Sequence, residues 1–491
     1  MDIFRRLSWA DSTGDAIPLY HEGVYHIFSL TSPPGTTVYP ARLRTTWEHS
    51  VSKDLVHWEE VETALFPGEG DEPDACGAWT GAAIFGEGKY HIFYTGYNYN
   101  VHFQQTICHA ESTDGIHFEK DRLNPIIVPN EEEYEVVDWR DPYVFYNDDD
   151  NCYWMLISGR KKEGPAPRRG CIVLYRSKDL KSFEYYGPIY QPYHTNCPEC
   201  CEMYKIGNLW YLSYSRFSEF VNTIYRISDS PFGPFRTPKM DGIGGRRFYA
   251  AKSMANEEGR RFYFAWAHDR AENSDFGEWY WGGVFCIPHE VCQNEDGELD
   301  VKLPAEYINE FNHPVKWSYR HMLGGHKRYG DKTVCLDSVG TLSYGFMELK
   351  EKSFLFSCKV KPVDVADHFG LLLKSDKDAT QCLALQFDKG MQRITLLNLP
   401  MAVDPFWQAS CTNIGKPKEP GPDGIRVCEK PFVFSDGDII DLKVVIDRDM
   451  IEIFAGEKVA FTYRFYAETE YEIGLMAQDG SVEFFDISLT K

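Results

Sequence analysis

The sequence predicts an all-β protein, a five-bladed β-propeller followed by a C-terminal β-sandwich. Three observations predict it. An aromatic strand motif recurs five times, a polar turn recurs in most of those repeats, and the texture of the chain changes after Pro304. The strand motifs are GVYHIFSL from Gly23, GKYHIFYTG from Gly88, CYWMLIS from Cys152, LWYLSYS from Leu209 and RFYFAWA from Arg261. Each is short, aromatic or β-branched and follows turn-forming residues. Their anchors Tyr25, Tyr90, Tyr153, Trp210 and Phe262 lie 65, 63, 57 and 52 residues apart, the spacing of multi-stranded propeller blades.

The polar turns follow as SKDLVHWEE at Ser52, STDGIHFEK at Ser112, SKDLKSFEYYG at Ser177 and SDSPFGPF at Ser228. In Ser-x-Asp the two side chains bond nearby backbone groups and close a tight turn, and the next aromatic residue returns the chain to the sheet. Residues 1–303 are therefore expected to form the propeller, 304–339 a linker and 340–491 a sandwich of alternating strands and turns. Within the sandwich the Pro- and Gly-rich stretch 413–427 reads as a long loop, and helical periodicity is confined to residues 305–311.

Composition narrows the function. With 51 basic against 74 acidic residues, a formal charge of −23, nucleic acid and anionic membranes are poor partners, and a small neutral ligand suits the chain better. No apolar run approaches the length of a membrane span and the first residues lack a secretory leader pattern, so a cytoplasmic location is expected. Fourteen scattered cysteines then read as reduced thiols. Cys197, Cys200 and Cys201 cluster, but no second ligand pair accompanies them, so no metal is expected, and no Gly-rich nucleotide loop points to an organic cofactor. Asp148, Asp149 and Asp150 read as a solvated hairpin turn.

In a propeller the innermost strands converge on one pocket, so acids at equivalent inner-strand positions are the candidates for chemistry. Asp15 stands at the start of the first repeat, Asp141 in Trp139-Arg140-Asp141-Pro142 and Glu199 in Cys197-Pro198-Glu199-Cys200. Cleaving a glycosidic bond needs a carboxylic acid to protonate the leaving oxygen and a carboxylate to attack or to activate water. Three converging carboxyls meet that demand, and mutual repulsion in a dry pocket raises the pKa of at least one.

The stretches Trp47-Glu48-His49-Ser50-Val51-Ser52-Lys53-Asp54-Leu55-Val56-His57-Trp58, Trp79-Thr80-Gly81-Ala82-Ala83, Arg140-Asp141-Pro142, Ser177-Lys178-Asp179-Leu180, Pro198-Glu199-Cys200 and Ile451-Glu452-Ile453-Phe454 together resemble glycoside hydrolase family 32, the invertase and inulinase group. The resemblance implies a retaining mechanism with an aspartate nucleophile on the first blade, Glu199 as acid/base and Asp141 binding the transition state. Where that family reads Trp-Met-Asn-Asp-Pro-Asn-Gly, this chain reads Trp9-Ala10-Asp11-Ser12-Thr13-Gly14-Asp15. Asp11 follows the tryptophan, while Asp15 keeps the distance to the next strand and is favoured as nucleophile. Glu202 stands where the family continues Cys-Pro-Asp.

Substrate contacts are expected from Arg140, Thr80, Trp47, Trp79 and Trp281, with Trp9, Trp139 and Trp279 as further aromatic candidates and Arg246, beside Arg247, as a hydroxyl or carboxylate ligand. The expected activity is cleavage of a terminal β-fructofuranosidic bond in sucrose or short fructo-oligosaccharides. The alternatives are another furanoside such as an arabinofuranoside, or a propeller that binds carbohydrate without cleaving it. A packing role or a homo-oligomer contact is expected of the sandwich.

Overall fold

The computed structural model describes residues 3–491 except 219, 329, 378, 380, 400–405 and 407–422, so residues 413–422 of the expected long loop lie outside the described residues. The fold is a propeller followed by a β-sandwich. It divides into two compact units, Met1–Asp269 with Tyr280–Glu306 and Arg270–Trp279 with Tyr307–Lys491. No helix among the described residues is long and apolar enough to cross a membrane.

The first unit is a series of antiparallel meanders. The first contains β1 (Thr13–His21), β2 (Val24–Thr31), β3 (Thr46–Ser52) and β4 (Trp58–Glu60), and the second β5 (Gly77–Gly86), β6 (Lys89–Tyr97), β7 (Gln105–Ser112) and β8 (Glu119–Lys120). The third contains β9 (Tyr134–Asn147), β10 (Cys152–Lys161), β11 (Gly170–Ser177) and β12 (Glu184–Tyr190), and the fourth β13 (Glu199–Ile206), β14 (Leu209–Arg216) and β15 (Asn222–Ser228). The last contains β16 (Tyr249–Ala255), β17 (Arg261–Arg270), β18 (Trp279–Phe285), β19 (His289–Gln293) and β20 (Leu299–Lys302). It joins the first through Thr13 opposite Gly283, so these two meanders share one nine-stranded sheet. The five sequence anchors fall on β2, β6, β10, β14 and β17, the second strand of each meander.

Apolar residues fill the spaces between successive sheets. Ile17, Phe28 and Trp47 pack against Ile92 and Tyr94, and Trp154, Leu156 and Leu174 pack against Met203, Leu212 and Ile224. The Tyr-His-Ile-Phe repeats add a polar element to two sheets: His26 Nδ1 meets His49 Nε2 at 3.0 Å, and His91 Nδ1 meets His109 Nε2 at 2.9 Å. The Ser-x-Asp turns form as their chemistry dictates. Val56 and His57 N–H both donate to Asp54 Oδ1, and the pattern repeats at Asp114 and Asp179.

In the second unit, residues assigned to a linker are instead structured. After the helix Ala305–Glu310 come β21 (Ser318–Leu323), β22 (Gly325–Arg328) and β23 (Val334–Asp337). They join the sandwich sheet through Leu342–Glu348 and the long strand Tyr471–Thr490. That strand pairs in turn with Ser353–Ser375.

Candidate active site

One backbone device recurs where the inner strands face the pocket. The register of β1 shifts between Thr13 and Ala16, that of β5 between Trp79 and Gly81, that of β13 between Glu199 and Glu202 and that of β16 between Tyr249 and Lys252. On β9 the shift falls at Asp141 and Pro142, between the partners of Ser158 and Leu156. A β-bulge bends its strand and re-aims side chains. Here Asp141, Cys200 and Ala250 take φ of 57°, 50° and 52°, a left-handed conformation that costs a non-glycine residue about 1–2 kcal/mol.

Each bulge delivers residues to a pocket of roughly 180 Å³: Asp15 from β1, Trp79 and Thr80 from β5, Arg140 and Asp141 from β9, Glu199 and Cys200 from β13, and Tyr249 and Ala250 from β16. The three carboxylates expected to meet therefore do meet. Asp15 lies inside β1 at its bulge, buried, with Trp266 Nε1 donating to Oδ1 at 2.8 Å and the Cys200 thiol 3.7 Å from Oδ2. Burial, then the Asp141 charge, push its pKa up to about 7 against the pull of the Trp266 bond. Asp141 accepts the Cys200 N–H at 2.8 Å. Burial raises it to about 6, with Arg140 pulling the other way.

Arg140 ties the acids together. Nη2 donates to Glu199 Oε1 at 3.0 Å, and Nη1 to Asp138 Oδ1 at 2.6 Å and Gln105 Oε1 at 3.2 Å. The Tyr249 hydroxyl donates to the other oxygen of Glu199. The Glu199 carboxyl is thus gripped from both sides. Thr80 Oγ1 is buried at the pocket wall and has no hydrogen-bond partner among the described residues.

Leu30, Leu43, Trp79 and Trp281 supply the apolar part of the lining. Trp281 lies so close to Gly14 that a Cβ there would sit 2.5 Å from the indole, which gives Gly14 its reason. Arg42 Nε holds the Trp281 carbonyl at 2.7 Å.

Other expected contacts lie elsewhere. Trp47 is fully buried between the first two sheets, its Nε1 donating to Trp79 O, so it supports the pocket wall instead of lining it. Arg246 lies over the Phe220 ring, its guanidinium carbon 5.4 Å from the centroid, and is not part of the pocket lining. Trp139 is core, Trp9 is 46% exposed, and Trp279 lies under Arg270 in the second unit. Asp11 is exposed and accepts the Gly35 N–H, away from the other acids. Glu202 turns from the pocket to Ser213 and Ser253. The clustered cysteines diverge: Cys200 toward Asp15, Cys201 toward Ser158 Oγ.

Sequence reasoning missed Tyr249, Cys200 as a contact of Asp15, Trp266 and Lys252. The signal for Tyr249 was its place: aligning the fifth repeat with the fourth puts it where Glu199 stands.

The description "Glycosyl hydrolases family 32 N-terminal domain" matches residues 16–302 and the C-terminal description of the same family matches 331–491. The first match starts one residue beyond Asp15, so that carboxylate rests on the geometry alone. A β-fructofuranosidase, insoluble isoenzyme CWINV6, of Arabidopsis thaliana is 26% identical over 60% of this chain, which spans 57% of that relative's length. Raffinose invertase of Escherichia coli is 23% identical over 96% of this chain and 90% of its own. The structure of fructan 1-exohydrolase IIa from Cichorium intybus superposes with a TM-score of 0.74 at 19% identity, covering 99% of this chain and 96% of the other. The chain therefore belongs to glycosyl hydrolases family 32.

Proposed function

We propose that the protein is a retaining β-fructofuranosidase that releases terminal fructose from sucrose and short fructo-oligosaccharides. The observation that carries this reading is the delivery of Asp15, Asp141 and Glu199 into one pocket by equivalent bulges. The names of the relatives, an invertase and a β-fructofuranosidase among them, supply the sugar.

In this reading the ionised Asp15 attacks the anomeric carbon of the fructosyl unit, while Glu199 gives its proton to the glycosidic oxygen, which departs with the bond electrons as a hydroxyl. Glu199 then takes a proton from water, whose oxygen breaks the fructosyl–Asp15 ester. Arg140 and Tyr249 fix the Glu199 carboxyl for both steps. Asp141 accepts sugar hydroxyls, Thr80 offers its vacant hydroxyl, and Trp79 and Trp281 cover the apolar face of the ring. Asp15 must be ionised to attack, so its raised pKa places the acid limb of kcat/KM near pH 7. The described cysteines are free thiols, which fits a reducing compartment, and we place the enzyme in the cytoplasm.

The test is sugar release from sucrose, 1-kestose and an arabinofuranosyl glycoside by wild type and Glu199→Gln. Fructose release that collapses in the variant supports the proposal. Release from the arabinofuranoside alone changes the sugar, and no release from any of the three abandons hydrolysis of these bonds.

A further inference from the structure

Lys252 stands on β16 just past the bulge and is 1% exposed. A lysine is almost never fully buried without a counter-charge. Its ammonium reaches an inner strand not adjacent to its own, where Nζ donates to the Gly81 carbonyl of β5 at 2.5 Å, and it lies 6.0 Å from the Tyr143 ring of β9. That direct partner is neutral. That bond sets the ammonium beside Thr80 of the pocket wall, whose carbonyl takes the Thr95 hydroxyl that in turn accepts the Asp141 N–H, and from there its charge favours the ionised forms of Asp15, Asp141 and Glu202.

The other cations of this cluster are committed. Arg140 is bonded to Glu199 and Asp138, and Arg261 on β17 donates to Ser253 and offsets Glu202. Around Asp15 the remaining groups are Asp141 and Glu199, which repel its charge, the Trp266 N–H, and the neutral Tyr249 and Cys200. Lys252 is the cation among the leading influences on Asp15, the smallest of them after burial, Asp141, the Trp266 bond and Glu199.

Resting on the reaction proposed above, we propose that Lys252 is a positioning residue, a buried cation tied to Gly81 that serves Asp15 and Asp141 as counter-charge without touching the sugar. Burial and like charge drive Asp15 toward the protonated form, in which it cannot attack; the ammonium and the Trp266 bond oppose them. The lysine tilts that balance toward the ionised nucleophile.

The experiment is the pH profile of kcat/KM on sucrose for wild type, Lys252→Gln, Lys252→Met and Lys252→Arg. Glutamine keeps a donor for the Gly81 carbonyl and removes only the charge. The expected result is an acid limb about one pH unit higher in the neutral variants, hence about tenfold lower kcat/KM on that limb and a far smaller change on the alkaline side, with the limb unmoved in Lys252→Arg. A neutral variant that is active with its acid limb in place overturns the proposal, as does loss of folding in both neutral variants but not in Lys252→Arg, which makes the lysine a structural tie. Absence of fructose release by the wild type overturns the reaction itself and is distinct from either result.

Discussion

Asp15 and Asp141, at the pocket-facing bulges of β1 and β9, stand in contrast to Asp54, Asp114 and Asp179, at the hairpin ends of the same kind of sheet. The pocket pair are buried and pushed up to about 7 and about 6. Among the hairpin acids, Asp54 falls to about 2, because its modest burial is outweighed by bonds from His57 and Val56, and Asp114 and Asp179 are lowered by the same kind of bonds. One residue type thus takes two states, set first by burial and then by the balance of donors and other carboxylates around it. At the hairpin ends the charge closes a turn; in the pocket burial holds it against its preference.

The largest test of that contrast is Asp15→Asn. Turnover should fall about 10⁴-fold or more, while the melting temperature at pH 7.5 holds or rises. The sign follows from linkage: a carboxyl whose folded pKa is raised from 3.8 to about 7 contributes stability below pH 3.8 that is lost as pH rises through about 7, and asparagine removes that loss. A fall in activity below tenfold breaks the assignment of Asp15. Tyr249→Phe is the milder version at the same end. It frees one oxygen of Glu199 and should lower kcat about tenfold with KM little changed; unaltered kcat would mean the hydroxyl is only packing.

Between the two ends lie the buried histidine pairs. Burial lowers His26 to about 4, His49 to about 3 and His91 to about 4. Their contribution to stability is therefore present above pH 6.5 and is lost as pH falls through about 4. The melting temperature should drop steadily from pH 6.5 to 4.5, and a flat or rising curve there would show that the pairs open or protonate without cost. The smallest effect belongs to the hairpin end. Asp114→Ala should lose about 1 kcal/mol of stability, seen in denaturant melts, through its missing turn bonds, with kcat unchanged.

How much of this could be read from sequence follows the same division. The repeats were legible because turn chemistry and strand period are local, and the acids were legible because they share a repeat position. Trp47 and Arg246 lie outside the pocket lining, which sequence position could not show because it says nothing about burial or stacking: Trp47 fills the space between two sheets and Arg246 stacks on Phe220. Tyr249 was passed over because its repeat carries no acid at that position. The strands β21 to β23 were missed because Ser-Tyr-Arg-His and Gly-His-Lys-Arg lack apolar alternation; their pairing comes from distant partners such as the residues 481–484.

The repeated bulge also bears on how such a pocket can change. Its backbone offers five equivalent seats, and the strain at three of them is carried by the sheet whatever side chain sits there. Three seats hold no charge, but Cys200 bonds Asp141 and Asp15, which leaves Thr80 and Ala250 as the two with neither a charge nor a bond to those acids. New specificities are therefore reachable by exchanging the occupants of those two, one at a time, with the histidine pairs, the serine–aspartate turns and Asp15 left as they are.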